Sequence, residues 1–347
     1  MGSVRHAVEL RAGAKDFSTG LLNDLLAALR GISDGELLSL RGPPRIGSDL
    51  DRWARFTGNA IVEVVPEGET SRFLVRKGAP RSYDGAPVIG SRLWLYSNFD
   101  CNLACDYCCV RSSPRADPQA LLLEDIRRAA AEAPAAGVRE FLVTGGEPFL
   151  RPDIAELLLA CAQALPTTVL TNGLLFAGKR RLDLRRLPRD RVVLQISLDS
   201  PTPTLHDRHR GAGTWEKARA GIAIAREEGF RVRLASTVAD AEAEQEFQAF
   251  VEREGIPEED CILRRVALRG FAEEGVALSR ADLVPEVTLT RSGVYWHPVG
   301  ATDRDFFVTA RSFPLVEAIE AVKLAYAEER RFATSLASVF RCASYCP

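Results

Sequence analysis

The sequence predicts an α/β protein: a partial (β/α)6 barrel, preceded by a βαβαββ two-layer domain and followed by a small α+β extension. Three observations predict it. Between residues 92 and 270, short apolar strands alternate with helical patterns. Before residue 78, period-two runs and one-face helical runs follow the order βαβαββ. The 347 residues are 46% hydrophobic and 27% charged, which suffices for more than one core at the usual ~150 residues per domain.

The elements follow in order. Residues 7–10 alternate as a short strand, and Leu21, Leu22, Leu25, Leu26 and Leu29 recur on one helical face. Residues 36–40 give a second strand. Ser48 is placed to cap a second helix with Leu50, Trp53 and Phe56 inward, which stops at Gly58. Two strand-like runs, 61–65 and 72–76, are joined by Pro66-Glu67-Gly68-Glu69 as a hairpin turn. This first domain spans 1–78, and residues 79–91, rich in glycine, proline and aspartate, read as a linker. In the barrel, 92–270, strands are expected at 93–96, 141–143, 168–170, 192–196, 232–234 and 262–266. Helices are expected at 121–133, 154–165, 215–228 and 241–253. Such alternation requires parallel strands with right-handed crossovers, and six units are too few to close an eight-stranded barrel. The extension, 271–347, holds a β-hairpin turning at Arg291-Ser292-Gly293 and a helix over 315–333.

Charge and composition exclude several classes. Lys and Arg total 45 against 47 Asp and Glu, a net charge of −2, so nothing favours a surface that wraps nucleic acid. No apolar run approaches the ~18 residues of a membrane span. The start, Met1 to His6, has no apolar stretch behind its charge, so no secretory signal is expected and the protein is read as cytoplasmic. Reducing compartments keep thiols free, so clustered cysteines there point to metal or catalysis.

Four of the eight cysteines fall together: Cys101, Cys105, Cys108 and Cys109. The first three lie at i, i+4 and i+7, directly after the first barrel strand. That is the C-terminal strand end, where α/β sheets place their ligands. Thiolates at these offsets can wrap three corners of a compact iron–sulfur cluster and leave one iron open. A zinc loop completed by Cys109, or plain reduced thiols, are the alternatives that spacing alone leaves standing. Gly145-Gly146-Glu147-Pro148 follows the second barrel strand. Its glycines permit close backbone approach, and Glu147 offers an acceptor suited to an ammonium group.

With CxxxCxΦC (Tyr107 as its aromatic residue) and GGEP one βα unit apart, residues 92–270 resemble the radical SAM superfamily, in which S-adenosylmethionine (SAM) is the radical source. The resemblance implies that Cys101, Cys105 and Cys108 ligate a [4Fe-4S] cluster whose fourth iron binds the methionyl amine and carboxylate of SAM. Gly145, Gly146, Glu147 and Pro148 would contact the methionyl ammonium, and Tyr107 the adenine side. Asn172, Ser197, Asp199 and Thr237 stand at later strand ends on the same plan, with the group after the fourth strand near the ribose. Arg210 resembles the arginine that some subfamilies aim at the SAM carboxylate. For Asn172, Ser197 and Arg210 the plainer reading is a strand-end or surface residue. The implied activity is reductive cleavage of SAM to methionine and a 5′-deoxyadenosyl radical. That radical takes hydrogen from an organic small molecule or a peptide, and the electron comes from a donor such as flavodoxin or ferredoxin. No general base is needed for that step, so no catalytic residue is assigned.

The remaining cysteines divide. Cys109, Cys161 and Cys261 read as packed thiols. Cys342 and Cys346 lie at i, i+4, and the extension with its hairpin is similar to SPASM or twitch regions that carry auxiliary clusters. An auxiliary cluster, a redox dithiol and inert thiols all remain open for this pair. Tyr295, Trp296 and His297 either line a substrate cavity or form an aromatic packing strand. Arg265 and Arg269 are candidates to meet an anionic substrate, with surface arginines as the plainer account. The first domain resembles the TusA-like sulfur-carrier domain, but residues 14–19 lack its Cys-Pro motif, so sulfur carriage is not expected of it. Two other functions stay in view: a radical enzyme of a sulfur or tRNA-modification pathway, and an iron–sulfur electron carrier or redox sensor that never cleaves SAM.

Overall fold

Residues 8–17, 19–33, 35–57, 59–78, 89–238 and 241–339 are described by the structure, a computed structural model. They fall into two units. One holds the described residues up to 78 together with Ala281–Val284; the other holds the rest.

The first unit runs β1 (Val8–Arg11), α1 (Leu21–Arg30), β2 (Leu37–Gly42), α2 (Gly47–Thr57), β3 (Ala60–Glu67) and β4 (Thr70–Arg76). Its sheet has the order β1-β2-β4-β3, with β1 and β2 parallel and the other pairs antiparallel. Alternation along β2 and β4 turns Leu38, Leu40, Phe73 and Val75 inward against Leu21, Leu25, Leu29 and Leu50 of the helices. A 3-10 turn, Pro44–Ile46, leads straight into α2, so Ser48 lies inside the helix rather than capping it. The side chain of Phe56 and all of Gly58 lie outside the described residues, as does most of the linker.

The second unit begins with β5 (Arg92–Tyr96), α3 (Leu123–Glu132), β6 (Glu140–Thr144), α4 (Ile154–Ala164) and β7 (Thr167–Thr171). It continues with α5 (Lys179–Arg185), β8 (Val192–Ser197), α6 (Pro203–Arg210), α7 (Thr214–Glu227), β9 (Arg231–Val238), α8 (Ala241–Arg253) and β10 (Cys261–Arg265). β5 to β10 pair in parallel in chain order, an open (β/α)6 half-barrel. Leu93, Leu95, Phe141, Val143, Val169, Leu194 and Leu234 share the outer core with Ile126, Leu157, Cys161, Ile222 and Phe247 of the helices. Fully burying such a side chain is worth roughly 1.5–3 kcal/mol. Alternate positions (Trp94, Tyr96, Leu142, Thr144, Gln195, Arg233, Arg264) therefore point to the concave side.

Two details differ from the sequence expectation. The helices α5 and α6 are short and polar, with no long apolar stripe to announce them. The C-terminal strands β11 (Thr288–Thr290), β12 (Gly293–Tyr295) and β13 (Phe307–Thr309) do not stand apart. β11 joins β5 in parallel and extends the sheet to nine strands, which covers the free backbone edge of β5. The last helix, α9 (Leu315–Val339), packs Leu315, Ala318, Ile319 and Val322 on the same core. No helix among the described residues is long and apolar enough to cross a membrane.

Candidate functional site

The site is assembled where β5 to β10 end, and hydrogen bonds rather than apolar packing set its shape. Past β5, Ser97 still pairs with β6 through its N–H to Thr144 O (2.8 Å). Asn98 then donates its side-chain amide to Asp100 O (3.0 Å), Asp100 Oδ1 (2.8 Å) and Glu147 O (3.1 Å). The buried Arg151 donates to Ser97 O (2.6 Å) and Leu121 O (2.9 Å), fixing both ends of the loop that carries the cysteines. Cys101 N donates to Ser113 O (3.1 Å) across the loop.

The GGEP segment is cemented to that loop. Gly146 N donates to Asn98 O and Glu147 N to Asp100 O, both at 2.9 Å. A Cβ on Gly146 would stand 2.0 Å from Asp100 O, so only glycine permits the approach. Glu147 is fully buried; burial pushes its carboxyl above the usual range, while three donors hold it back. These are Phe149 N (3.0 Å), Thr171 Oγ1 (2.8 Å) and Asn172 N (2.8 Å). About four lone-pair sites minus these three leaves room for a single further donor. Glu147 is thus first a tie between β6 and β7. Pro148 is buried and opens a short 3-10 turn, Pro148–Leu150.

The three thiols have different neighbours. Cys101 faces the β6–β7 side: Leu103 N lies 3.4 Å from its Sγ and Asn172 Nδ2 3.9 Å, the latter also bonding Asn102 Oδ1 at 2.8 Å. Cys105 lies beside Arg210 and Asp199 at the end of β8. Cys108 receives Ser112 N at its Sγ (3.3 Å), while its carbonyl receives Phe271 N (3.0 Å) from the loop after β10. Gly270, at φ +64, is obligatory there, because a Cβ would sit 2.1 Å from Cys108 O. Burial pushes Cys101 up to about 12 and Cys105 up to about 11, and neighbouring thiols add to the rise. Both are protonated at neutral pH, and metal binding would release those protons. No three His, Cys, Asp or Glu side chains among the described residues converge on one point as ligands of a single ion would. Three soft thiol donors fit an iron–sulfur cluster that leaves one iron open, whereas a structural zinc site takes four ligands.

The predicted adenine-side and carboxylate-side residues form one buried network instead. Tyr107 donates its hydroxyl to Asp199 Oδ2. Arg210 forks onto the same carboxylate, Nε to Oδ2 at 2.6 Å and Nη2 to Oδ1 at 3.0 Å, with its guanidinium 5.5 Å from the Tyr107 ring. Thr237 N adds a bond to Oδ1 (3.1 Å), and Asp199 N donates to His206 Nδ1 (3.2 Å). Burial pushes Asp199 up, but the Arg210 charge prevails and holds it below the ordinary carboxylate value. Arg210 is thus paired with Asp199, a bidentate charge-assisted contact that fixes its guanidinium beside Cys105.

Ser197 is half-buried at the end of β8 and makes no side-chain hydrogen bond among the described residues. Cys342 and Cys346 lie outside the described residues. Cys109 is half-buried and packs against Tyr96, Phe99 and Val110, and its desolvation pushes it up to about 12. Of the aromatic trio, Trp296 is buried against Tyr326 and Tyr295 packs on Phe307; only His297 reaches the neighbourhood of Arg92 and Arg264. Arg269 is occupied by Asp303, Asp305 and Leu278 O, so it is not free to meet a substrate. Asn98, Arg151, His206 and Gly270 hold the site together without belonging to any motif. Most of their partners come from other segments (Glu147 for Asn98, Ser97 and Leu121 for Arg151, Cys108 for Gly270), and no local pattern marks them.

Comparison with known proteins agrees with this geometry. The family profile described as Radical SAM superfamily matches residues 96–253. The AdoMet-dependent heme synthase of Oleidesulfovibrio alaskensis is 29% identical over 45% of this chain and 40% of its own length. The antilisterial bacteriocin subtilosin biosynthesis protein AlbA of Bacillus subtilis is 34% identical over 42% of this chain and 33% of its own. Among solved structures, native anSMEcpe with bound AdoMet and Kp18Cys peptide superposes with a TM-score of 0.53 at 13% identity, covering 68% of this chain and 83% of that one. That likeness shows the fold. The chain spans less than half the length of these two curated relatives.

Proposed function

Residues 96–253 are a radical SAM domain, and from that premise we propose that the chain is an enzyme that cleaves S-adenosylmethionine at a [4Fe-4S] cluster held by Cys101, Cys105 and Cys108. When bound, the cluster and SAM supply an electron and a 5′-deoxyadenosyl radical strong enough to take hydrogen from an unactivated C–H bond. The observation that carries the reading is the bonding of the thiol loop to Gly146 and Glu147 at the C-terminal strand ends. One rigid block then presents three soft ligands together with the backbone that would flank the methionyl group.

The chain's own residues work by positioning. Asn98 and Arg151 fix the loop's entry, Asn172 stands against Cys101, and the Phe271 N–H holds the Cys108 carbonyl. The Tyr107–Asp199–Arg210 network locks the loop's centre to β8 and β9. A loop held at so many points loses little further entropy on loading. The substrate is an organic small molecule or a peptide. AlbA by its name serves the making of a bacteriocin, and the anSMEcpe structure holds a peptide, which supports the peptide alternative. A reduced flavodoxin or ferredoxin suits the electron donor.

Anaerobic reconstitution with iron and sulfide tests this. Cys101→Ser, Cys105→Ser and Cys108→Ser are each expected to lose nearly all iron and all reductant-dependent release of 5′-deoxyadenosine, while Cys109→Ser keeps its iron. Full iron in the three variants, or wild type that loads iron but releases no deoxyadenosine, would overturn the proposal.

A further inference from the structure

The concave face of the half-barrel carries a guanidinium that no side chain claims. On β10, Cys261 and Leu263 pack outward with the helices, so alternation turns Ile262 and Arg264 to the concave side. Arg264 lies within electrostatic reach of Tyr96, Cys109, Glu286 and His297. None of its nitrogens makes a hydrogen bond or ion pair among the described residues. It is exposed to solvent on that face.

The surrounding charges do not neutralise it. Glu286 is taken by Arg92 and by the Trp94 indole N–H. Asp260 is taken by Arg231 (2.8 Å) and approached by Arg233 (3.4 Å), and Asp303 by Arg269. Tyr96 donates its hydroxyl to Pro298 O (2.8 Å). His297 accepts Val299 N at Nδ1 (3.2 Å), so its own proton sits on Nε2 and makes it a second donor. A guanidinium exposed on the concave face with no anion bonded to it is free to take one from a ligand.

We propose that Arg264 is the specificity residue of the substrate cavity and that the substrate carries an oxyanion, a carboxylate or a phosphate, bound by the Arg264 fork. The identification as a substrate cavity rests on the radical SAM reading above; the oxyanion site itself does not. A guanidinium presents parallel N–H donors matched to two oxygens of either group, which an ammonium cannot do.

The test uses the full chain with inorganic phosphate and N-acetylglycine as probes, binding being read by calorimetry. At least one probe is expected to bind wild type and to distinguish phosphate from carboxylate chemistry by its affinity. Arg264→Gln is expected to bind at least ten-fold more weakly and Arg264→Lys to fall between. In wild type, phenylglyoxal labelling mapped by mass spectrometry is expected at Arg264 and suppressed by the bound probe, which needs no variant to fold. SAM added to the iron-loaded protein is expected to leave probe affinity unchanged. Equal binding by Arg264→Gln, no binding of either probe, or competition between SAM and the probe would overturn the proposal. Iron counting in parallel separates the two readings: probe binding that fails in iron-loaded protein sinks only this inference. Probe binding without iron loading sinks the enzyme assignment and leaves the anion site.

Discussion

At the scale of single residues, two positions decide more than their side chains suggest. Gly270 lets the loop after β10 press against the third cysteine, with its missing Cβ only 2.1 Å from Cys108 O. Gly270→Ala should leave the far-ultraviolet circular dichroism of the fold intact but cost roughly half or more of the iron after reconstitution, since both φ and space forbid the methyl. Wild-type iron content in that variant would refute the role. His206 is the other. It is fully buried, takes the Asp199 N–H on Nδ1, and burial holds it down to about 4 from 6.5. Between those values the unfolded chain binds a proton that the folded chain refuses. Stability therefore falls as pH drops through that window, by up to about 3 kcal/mol. Thermal melts at pH 7 and pH 5 should show the loss, and His206→Gln should flatten it; an unchanged slope would remove His206 from the account. The cysteine spacing was readable in the chain, but Gly270 and His206 were not: Cys108 lies 162 positions from Gly270, and the Asp199–His206 bond needs the turn between β8 and α6 to fold back.

At the scale of elements, α6 is the piece the sequence concealed. Eight mostly polar residues gave no amphipathic stripe, yet this helix delivers Arg210 to Asp199 and His209 to Asp106 (2.9 Å). It bonds the cysteine loop at Asp106, while Asp199 after β8 takes Tyr107 of that loop and Thr237 of β9. Asp199→Asn would strand a buried guanidinium, and breaking such a pair costs about 3–5 kcal/mol. Urea unfolding should show that loss. The double variant Asp199→Leu with Arg210→Met should recover part of it, because no charge is left buried. If the double variant is as weak as the sum of the singles, the pair is not the clamp described. The barrel strands themselves were legible, since runs such as those of β6 and β8 are apolar on both faces and sit between helical patterns. That β11 adds to β5 was not, because three residues carry too little pattern to name a pairing edge.

At the scale of the molecule, each unit has its own core, and each should answer to its own substitutions. Leu25→Ala, in the core of the first unit, should cost about 2–5 kcal/mol there and leave iron loading of the barrel at wild-type level. Loss of iron in that variant would show that the barrel's site depends on the first unit. One cubane predicts about four irons per reconstituted chain, whereas a second cluster would give about eight.

Periodicity and motif spacing alone determined the half-barrel, the order of the N-terminal elements and the three thiols, because these are written in neighbouring residues. Only the tertiary structure decided how the charges pair: Arg210 with Asp199, Arg269 with Asp303, and Arg264 with nothing among the described residues. Three arginines of one chemistry cannot be told apart in a string of letters. The cost of burying charge gives Arg210 and Arg269 their partners, and that cost exists only once distant segments are brought face to face.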